Sequence, residues 1–209
     1  MYKRVLILAP HTDDGELGCG GTIAKLIEEG SEVYYAAFSV CELSVPQSMP
    51  KNILEIELKK ATKTLGIKEE NLFLYKYSVR TFPEHRQEIL DNLIVLRDKL
   101  KPELVLMPSL NDIHQDHKTI ALEGVRAFKN TTLLGYEMLW NNLTINTQAF
   151  FILDARHVQK KIEAFSCYES QKFRNYANDE FIKGLAATRG TQIGEKYAEV
   201  FEVVRFIIK

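Results

Sequence analysis

The feature that most limits what this chain can fold into is its alternation of short, wholly apolar runs with amphipathic stretches of helical length. A strand that is apolar at every position must be covered on both faces, as in a parallel sheet flanked by helices. Val5 to Ala9 is such a run. Glu32–Phe38, Asn71–Tyr75, Glu103–Met107, Thr132–Tyr136 and Ala149–Leu153 read as further strands, and Val200–Ile208 as a last one. Between them, Gly18–Gly30, Pro50–Leu65, Pro83–Leu100, Lys118–Phe128, Val158–Tyr168 and Asp179–Leu185 carry helical patterning. Pro50 and Gly66 bracket the second helix in the usual order, proline near the start and glycine past the end. Strand and helix alternating at these spacings predict an α/β fold with a mainly parallel central sheet.

Such sheets bind ligands at the carboxyl ends of their strands. Two clusters of histidine and aspartate stand at two such ends. His11-Thr12-Asp13-Asp14 follows the first strand, and Asn111-Asp112-Ile113-His114-Gln115-Asp116-His117 follows the fourth. Neighbouring strands could bring both loops into one crevice. Three of the five histidines lie in these clusters; His85 and His157 do not, and no role is assigned to them.

Composition narrows the classes. The 209 residues hold 27 basic and 28 acidic side chains, without the basic excess that a general nucleic-acid binder needs. No apolar run approaches the roughly 20 residues of a membrane span. The apolar N-terminal stretch runs straight into His11, Asp13 and Asp14, so it reads as a buried strand and not as a signal peptide. Cys19, Cys41 and Cys167 are odd in number and far apart, which suits reduced thiols in a cytoplasmic protein. With no linker or repeat in the chain, residues 1–209 are expected to form a single domain.

The chemistry of the clusters points to a metal. A catalytic zinc site uses three nitrogen or oxygen ligands and keeps a position for water. His11, Asp14 and His117 would supply two imidazoles and one carboxylate. Zinc lowers the pKa of its water toward roughly 7, and Asp13, next to a ligand, is placed to take the proton. His114 would stabilise an oxyanion or protonate a leaving amine, with Asp116 hydrogen-bonding it and raising its pKa. A rival is a dinucleotide loop at Gly18, Gly20 and Gly21. The stretch before it is too long and acidic, G-x-G-G is not G-x-G-x-x-G, and no acid ends the second strand, so these glycines read as close packing.

Ala9-Pro10-His11-Thr12-Asp13-Asp14, followed by Leu17-Gly18-Cys19-Gly20-Gly21-Thr22, resembles the opening motif of the LmbE-like (PIG-L) zinc-dependent N-deacetylases. His114-Gln115-Asp116-His117 resembles their second motif. Weaker echoes are Glu57, Ala61 and Leu65-Gly66, then Tyr168-Glu169-Ser170-Gln171, then Tyr197-Ala198-Glu199-Val200-Phe201. The resemblance implies a Rossmann-like three-layer sandwich and removal of acetyl from an N-acetylated amino sugar or sugar conjugate, nucleotide-linked sugars included. It implies one Zn2+ per chain, with Fe2+ or another divalent ion as alternative, on His11, Asp14 and His117. Asp13 would be the general base, acting on metal-bound water, and His114, partnered by Asp116, would assist. The partner is a small N-acetylated sugar, with no nucleic acid and no membrane, and the chain would be a cytoplasmic homo-oligomer serving carbohydrate metabolism.

This chain departs from the family pattern at Thr12, where proline is usual, and at Gly15, where an acid is usual and Glu16 follows instead. Leu54 or a neighbour stands where many members carry a substrate-contacting basic residue. The loops Cys41–Met49 and Tyr77–Phe82 should rim the crevice. In it Arg80 could reach a phosphate or hydroxyl, and Trp140 with Tyr136 and Phe151 could stack on a sugar, though aromatics are more often core. Cys19 reads as buried packing. The alternatives are cleavage of another amide, such as an acyl-cysteine sugar conjugate, and a non-catalytic sugar- or nucleotide-binding protein on the same fold.

Overall fold

The computed structural model describes residues 2–176 and 178–208. The elements in chain order are β1 (Arg4–Ala9), α1 (Asp14–Glu28), β2 (Glu32–Ala37), α2 (Ile53–Leu65), β3 (Leu72–Leu74), α3 (Arg86–Leu100), β4 (Leu104–Pro108), α4 (Gln115–Ala127), β5 (Thr132–Tyr136), β6 (Ala149–Ile152), α5 (Ala155–Phe165), α6 (Asp179–Thr191) and β7 (Ala198–Arg205). One seven-stranded sheet has the order β3-β2-β1-β4-β5-β7-β6. The first five strands are parallel, and β7 runs antiparallel to both β5 and β6.

The apolar runs behave as their patterning requires. Val5, Ile7 and Ala9 enter one core with residues of α1, α2, α5 and α6, while Leu6 and Leu8 enter the other with α3 and α4. Both faces of the strand are therefore covered, and Val5 to Ala9 is wholly buried. Burial of each such side chain is worth about 1.5–3 kcal/mol, which fixes β1 at the sheet centre. The expected α/β architecture with helices on both sides of a mainly parallel sheet is the one observed.

Chain direction across the sheet reverses between β1 and β4, which pair directly: Val5 with Leu104, Ile7 with Leu106. A switch point of this kind opens a crevice at the carboxyl ends of the two strands. Both His–Asp clusters sit there. Three helices start earlier than their patterning suggests. α1 begins at Asp14 and not Gly18, α4 at Gln115 and not Lys118, and α5 at Ala155 and not Val158.

The glycines of α1 have a structural explanation. The helix breaks at Cys19 (φ −149°, ψ 25°), so a second helical segment starts within the glycine run. Its free N–H groups at Gly21 and Thr22 donate to the Glu199 carboxylate of β7, at 3.0 and 2.7 Å. Glu199 also holds Lys161 of α5 at 2.7 Å, and both side chains are buried. The positive end of the helix dipole is thus filled by a carboxylate of the chain itself, which leaves no place for a dinucleotide phosphate. Close packing accounts for the rest. A Cβ on Gly18 would stand 2.3 Å from the Tyr136 ring.

Candidate metal centre

His11 stands just past β1, after Pro10, and Asp14 is the first residue of α1. His117 lies in the first turn of α4, after β4. Three of their donor atoms form a nearly equilateral triangle. His11 Nδ1 is 3.1 Å from Asp14 Oδ2, His117 Nε2 is 3.2 Å from the same oxygen, and the two ring nitrogens are 3.2 Å apart. Ligands at about 2.0–2.1 Å from a tetrahedral zinc stand about 3.3–3.4 Å from one another. The triangle is therefore the size of one face of such a site.

The outer atoms fix which way the lone pairs point. His11 Nε2 faces Asp116 Oδ2 at 3.0 Å, and His117 Nδ1 faces Asp112 Oδ2 at 2.7 Å. Each carboxylate accepts a ring N–H, so each neutral imidazole turns its lone pair inward. Two nitrogen lone pairs and a carboxylate oxygen then converge on one point, which calls for positive charge. Burial lowers the basicity of both imidazoles, but Asp14, with Asp116 beside His11 and Asp112 beside His117, outweighs it and holds His11 at about 9 and His117 at about 10. A divalent cation meets the same demand, and the residues present fit one. His114 adds a third imidazole, since one ring nitrogen from each of His11, His114 and His117 can be chosen so that all lie within 4.8 Å.

Asp116 departs from its expected place. Its carboxylate serves His11 and not His114, and it also accepts the backbone N–H groups of Arg80 (2.6 Å) and Phe82 (3.3 Å). What reaches His114 is the Asp116 backbone N–H, which donates to His114 Nδ1 at 3.2 Å as a helix N-cap contact. The reason is the α4 start. With His114 as N-cap, its ring turns back over the first turn, and the Asp116 side chain is free to cross to β1. The basicity of His114 is correspondingly lowered and not raised, first by burial and then by the imidazoles of His117 and His11.

Asp13 lines the crevice at the N-cap of α1, half-buried, and its side chain makes no cap hydrogen bond. Burial, then the adjacent Asp14 charge, push its carboxyl up to about 6. Behind it, Glu16 is wholly buried and meets Tyr35 Oη at 2.6 Å and Tyr168 Oη at 3.1 Å. Burial raises Glu16 to about 8. The same two hydroxyls lie against the Thr12 carbonyl, which pins the His11–Asp14 turn from below. Gly15 is dictated by this packing, because a Cβ there would lie 2.4 Å from the Tyr35 ring. The second cluster is pinned as well. Glu202 of β7 accepts Ser109 Oγ at 2.7 Å and the Leu110 N–H at 2.9 Å.

The crevice holds about 300 Å³. Both loops expected at its rim do line it, through Cys41 and Ser44 and through Val79 and Arg80. Leu54 of α2 also lines it. Trp140 lines it and stacks on Tyr176 at 3.8 Å, but Tyr136 and Phe151 do not: Tyr136 is buried against Gly18, and Phe151 packs on Phe201. His85 is half-buried beside Glu88. His157 closes the capping box of α5 and pairs Glu28. Cys19 is buried, as its place in the glycine run suggests. Asp112, Gln171, Arg174 and Tyr176 carried no expectation. Asp112 could have been found by asking which carboxylate orients each imidazole, whereas the other three arrive through tertiary packing of a late segment. A larger groove near Arg4 and Lys101 lies at the opposite ends of the strands, away from the histidines. Among the described residues no helix is long and apolar enough to cross a membrane.

Comparison with known proteins agrees with this geometry. The chain is 24% identical over 221 aligned residues to the diacetylchitobiose deacetylase of Thermococcus kodakarensis, covering 94% of this chain and 81% of that protein. In structure it is similar to a conserved protein of Thermus thermophilus, with a TM-score of 0.80 at 24% identity, over 100% of this chain and 97% of the other. It is also similar to the N,N'-diacetylchitobiose deacetylase of Pyrococcus horikoshii, with a TM-score of 0.77 at 20% identity, over 97% and 84%. The two relatives named here for an activity are deacetylases of an N-acetylated sugar. Residues 6–128, which include both His–Asp clusters, match the PIG-L family, described as GlcNAc-PI de-N-acetylase, and the chain belongs to that family.

Proposed function

We propose that the protein is a metal-dependent hydrolase that removes the acetyl group from an N-acetylated amino sugar, with His11, Asp14 and His117 holding one zinc ion. The observation that carries this reading is the triangle of inward-facing donors with a carboxylate behind each imidazole. Two imidazoles and a carboxylate suit zinc, and they also accept iron. A divalent ion held there would supply Lewis acidity toward the amide carbonyl and lower the pKa of a water.

The chain's own residues do the remainder. Asp13 accepts the proton of the attacking water as the C–O bond forms, then passes it to the amine nitrogen as the C–N bond breaks. Acetate and the free amino sugar result. His114 keeps Nδ1 unprotonated by accepting the Asp116 N–H, so its proton sits on Nε2. A neutral imidazole can donate from there to the developing oxyanion. Asp112 and Asp116 hold the rings of His117 and His11 and are positioning residues. The functional unit is taken as the whole of 1–209, because Glu199 and Glu202 of β7 brace the α1 glycine run and the β4 loop.

The test is amine release by the zinc-loaded protein from a panel of N-acetylated sugars, with acyl-cysteine sugar conjugates alongside. Release of amine and acetate in equal amounts from an N-acetyl sugar, abolished by chelation and restored by zinc, is expected. Turnover of the acyl-cysteine compounds alone would move the substrate to that amide. No release from any of them would leave a binding protein.

A further inference from the structure

Six of the nine arginines of this chain lie within ion-pair distance of a carboxylate: Arg4, Arg86, Arg97, Arg126, Arg156 and Arg189. Among the described residues the other three do not, and one of them, Arg205, donates to the Phe128 carbonyl. The remaining two, Arg80 and Arg174, both line the crevice above the histidines. A neutral sugar offers hydroxyls to two guanidinium groups but no charge to meet theirs. Of the aspartates around the histidines, Asp14, Asp112 and Asp116 each face an imidazole, and Asp13 feels the Arg174 charge across the crevice without an ion pair between them among the described residues.

Arg80 is held where it is at a conformational cost. Its φ is +70°, a left-handed backbone that glycine or asparagine would adopt more easily. Both of its backbone polar groups are fastened from the start of α4. The N–H donates to Asp116 Oδ2 at 2.6 Å, and the carbonyl accepts from the Gln115 side chain. The clamp that orients His11 therefore also sets the position of Arg80. Arg174 reaches the crevice from the segment before α6. Its guanidinium lies over the rings of Phe173 (5.0 Å) and Tyr176 (5.9 Å), and its Nε donates to Gln171 at 3.3 Å. Among the described residues its two terminal nitrogens make no hydrogen bond, which suits a forked contact, the arrangement in which arginine binds phosphate or carboxylate oxygens.

We infer that Arg80 and Arg174 form an anion-binding subsite of the crevice, and that the amino sugar taken by this site carries a phosphate or carboxylate group. The inference rests on the deacetylase reading for the reaction but not for the binding. It also gives this chain a basic contact with its substrate although Leu54 or a neighbour stands where relatives carry one.

The test compares zinc-loaded wild type, Arg80→Asn, Arg174→Gln and, as a control of equal charge change, Arg205→Gln. Asparagine at 80 tolerates the left-handed backbone, so loss of the guanidinium is separated from backbone strain. The substrates are N-acetylglucosamine, its 1-phosphate and its 6-phosphate, and N-acetylmuramic acid. In wild type an acidic sugar should exceed N-acetylglucosamine in kcat/KM by about tenfold or more, chiefly through KM, as expected of charge-assisted contacts. That ratio should fall by about tenfold in Arg80→Asn and in Arg174→Gln, shrink at high salt, and persist in Arg205→Gln. Preference among the phosphates and the carboxylate identifies the group. An equal or greater rate with the neutral sugar, or a ratio unmoved in both crevice variants, overturns the inference. Calorimetric binding of N-acetylglucosamine 1-phosphate and N-acetylmuramic acid to the same proteins separates the two readings. Arginine-dependent binding without amine release from any sugar refutes the hydrolase and keeps the subsite. Amine release with arginine-independent binding does the reverse.

Discussion

Asp13→Asn is expected to keep its zinc and lose about 10²–10⁴ of its deacetylation rate, the usual contribution of a positioned general base. The substitution is nearly isosteric and removes only the ability to accept a proton. Asp13 makes no cap hydrogen bond to α1, so helix stability should change little. It stands next to Asp14 in the chain but outside the donor triangle. A loss confined to kcat, with zinc content and melting temperature near wild type, is the expected pattern. A variant that loses zinc in parallel with activity would make Asp13 a ligand. One that keeps full activity would remove it from the chemistry.

The second large effect falls on stability. Glu199→Ala leaves Lys161 buried without its counter-charge and strips two N–H groups of α1, at Gly21 and Thr22, of their acceptor. Removing one partner of a buried ion pair costs about 3–5 kcal/mol, and the orphaned helix donors add to that. The pair Lys161→Met with Glu199→Gln should recover part of the loss, because an amide oxygen still accepts from the helix and no buried charge remains. Urea unfolding measures both. A loss below about 1 kcal/mol for Glu199→Ala would show that water replaces the carboxylate and that the brace between α1 and β7 is not structural.

These two residues show what could be read in the sequence and what could not. The central strands were legible because burial on both faces leaves a continuous apolar run. The expected Thr132–Tyr136 strand is β5 itself, and Val5–Ala9 differs from β1 by one residue. The convergence of His11, Asp14 and His117 was legible because they sit just past such runs. Helix starts were read too late at both clusters for one physical reason. The first turns of α1 and α4 carry the polar residues of the two clusters, so the apolar period appears only after them.

Contacts across long sequence separations were not legible. His11 and Asp116 are 105 positions apart, and nothing local indicates that Asp116 crosses to β1 while its own backbone serves His114. The insertion of β7 between β5 and β6 is equally hidden, since its patterning says strand but not neighbour. That insertion explains the late echoes of the family pattern. Glu199 reaches the α1 glycines from β7, and Glu57 of α2 accepts the backbone N–H of Ser170 at 3.0 Å. Segments that look weak in isolation are thus the partners of the motif loops.

The most direct test of the account is the metal content of His11→Ala set against wild type, both purified, stripped and reloaded with zinc at neutral pH. The account predicts about one zinc per chain in wild type and a large loss in His11→Ala, because one corner of a three-donor site is gone. Circular dichroism should show the variant folded, since His11 lines the crevice and is only half-buried. Retention of about one tightly held zinc per chain by folded His11→Ala would contradict the assignment of His11, Asp14 and His117 as the metal site.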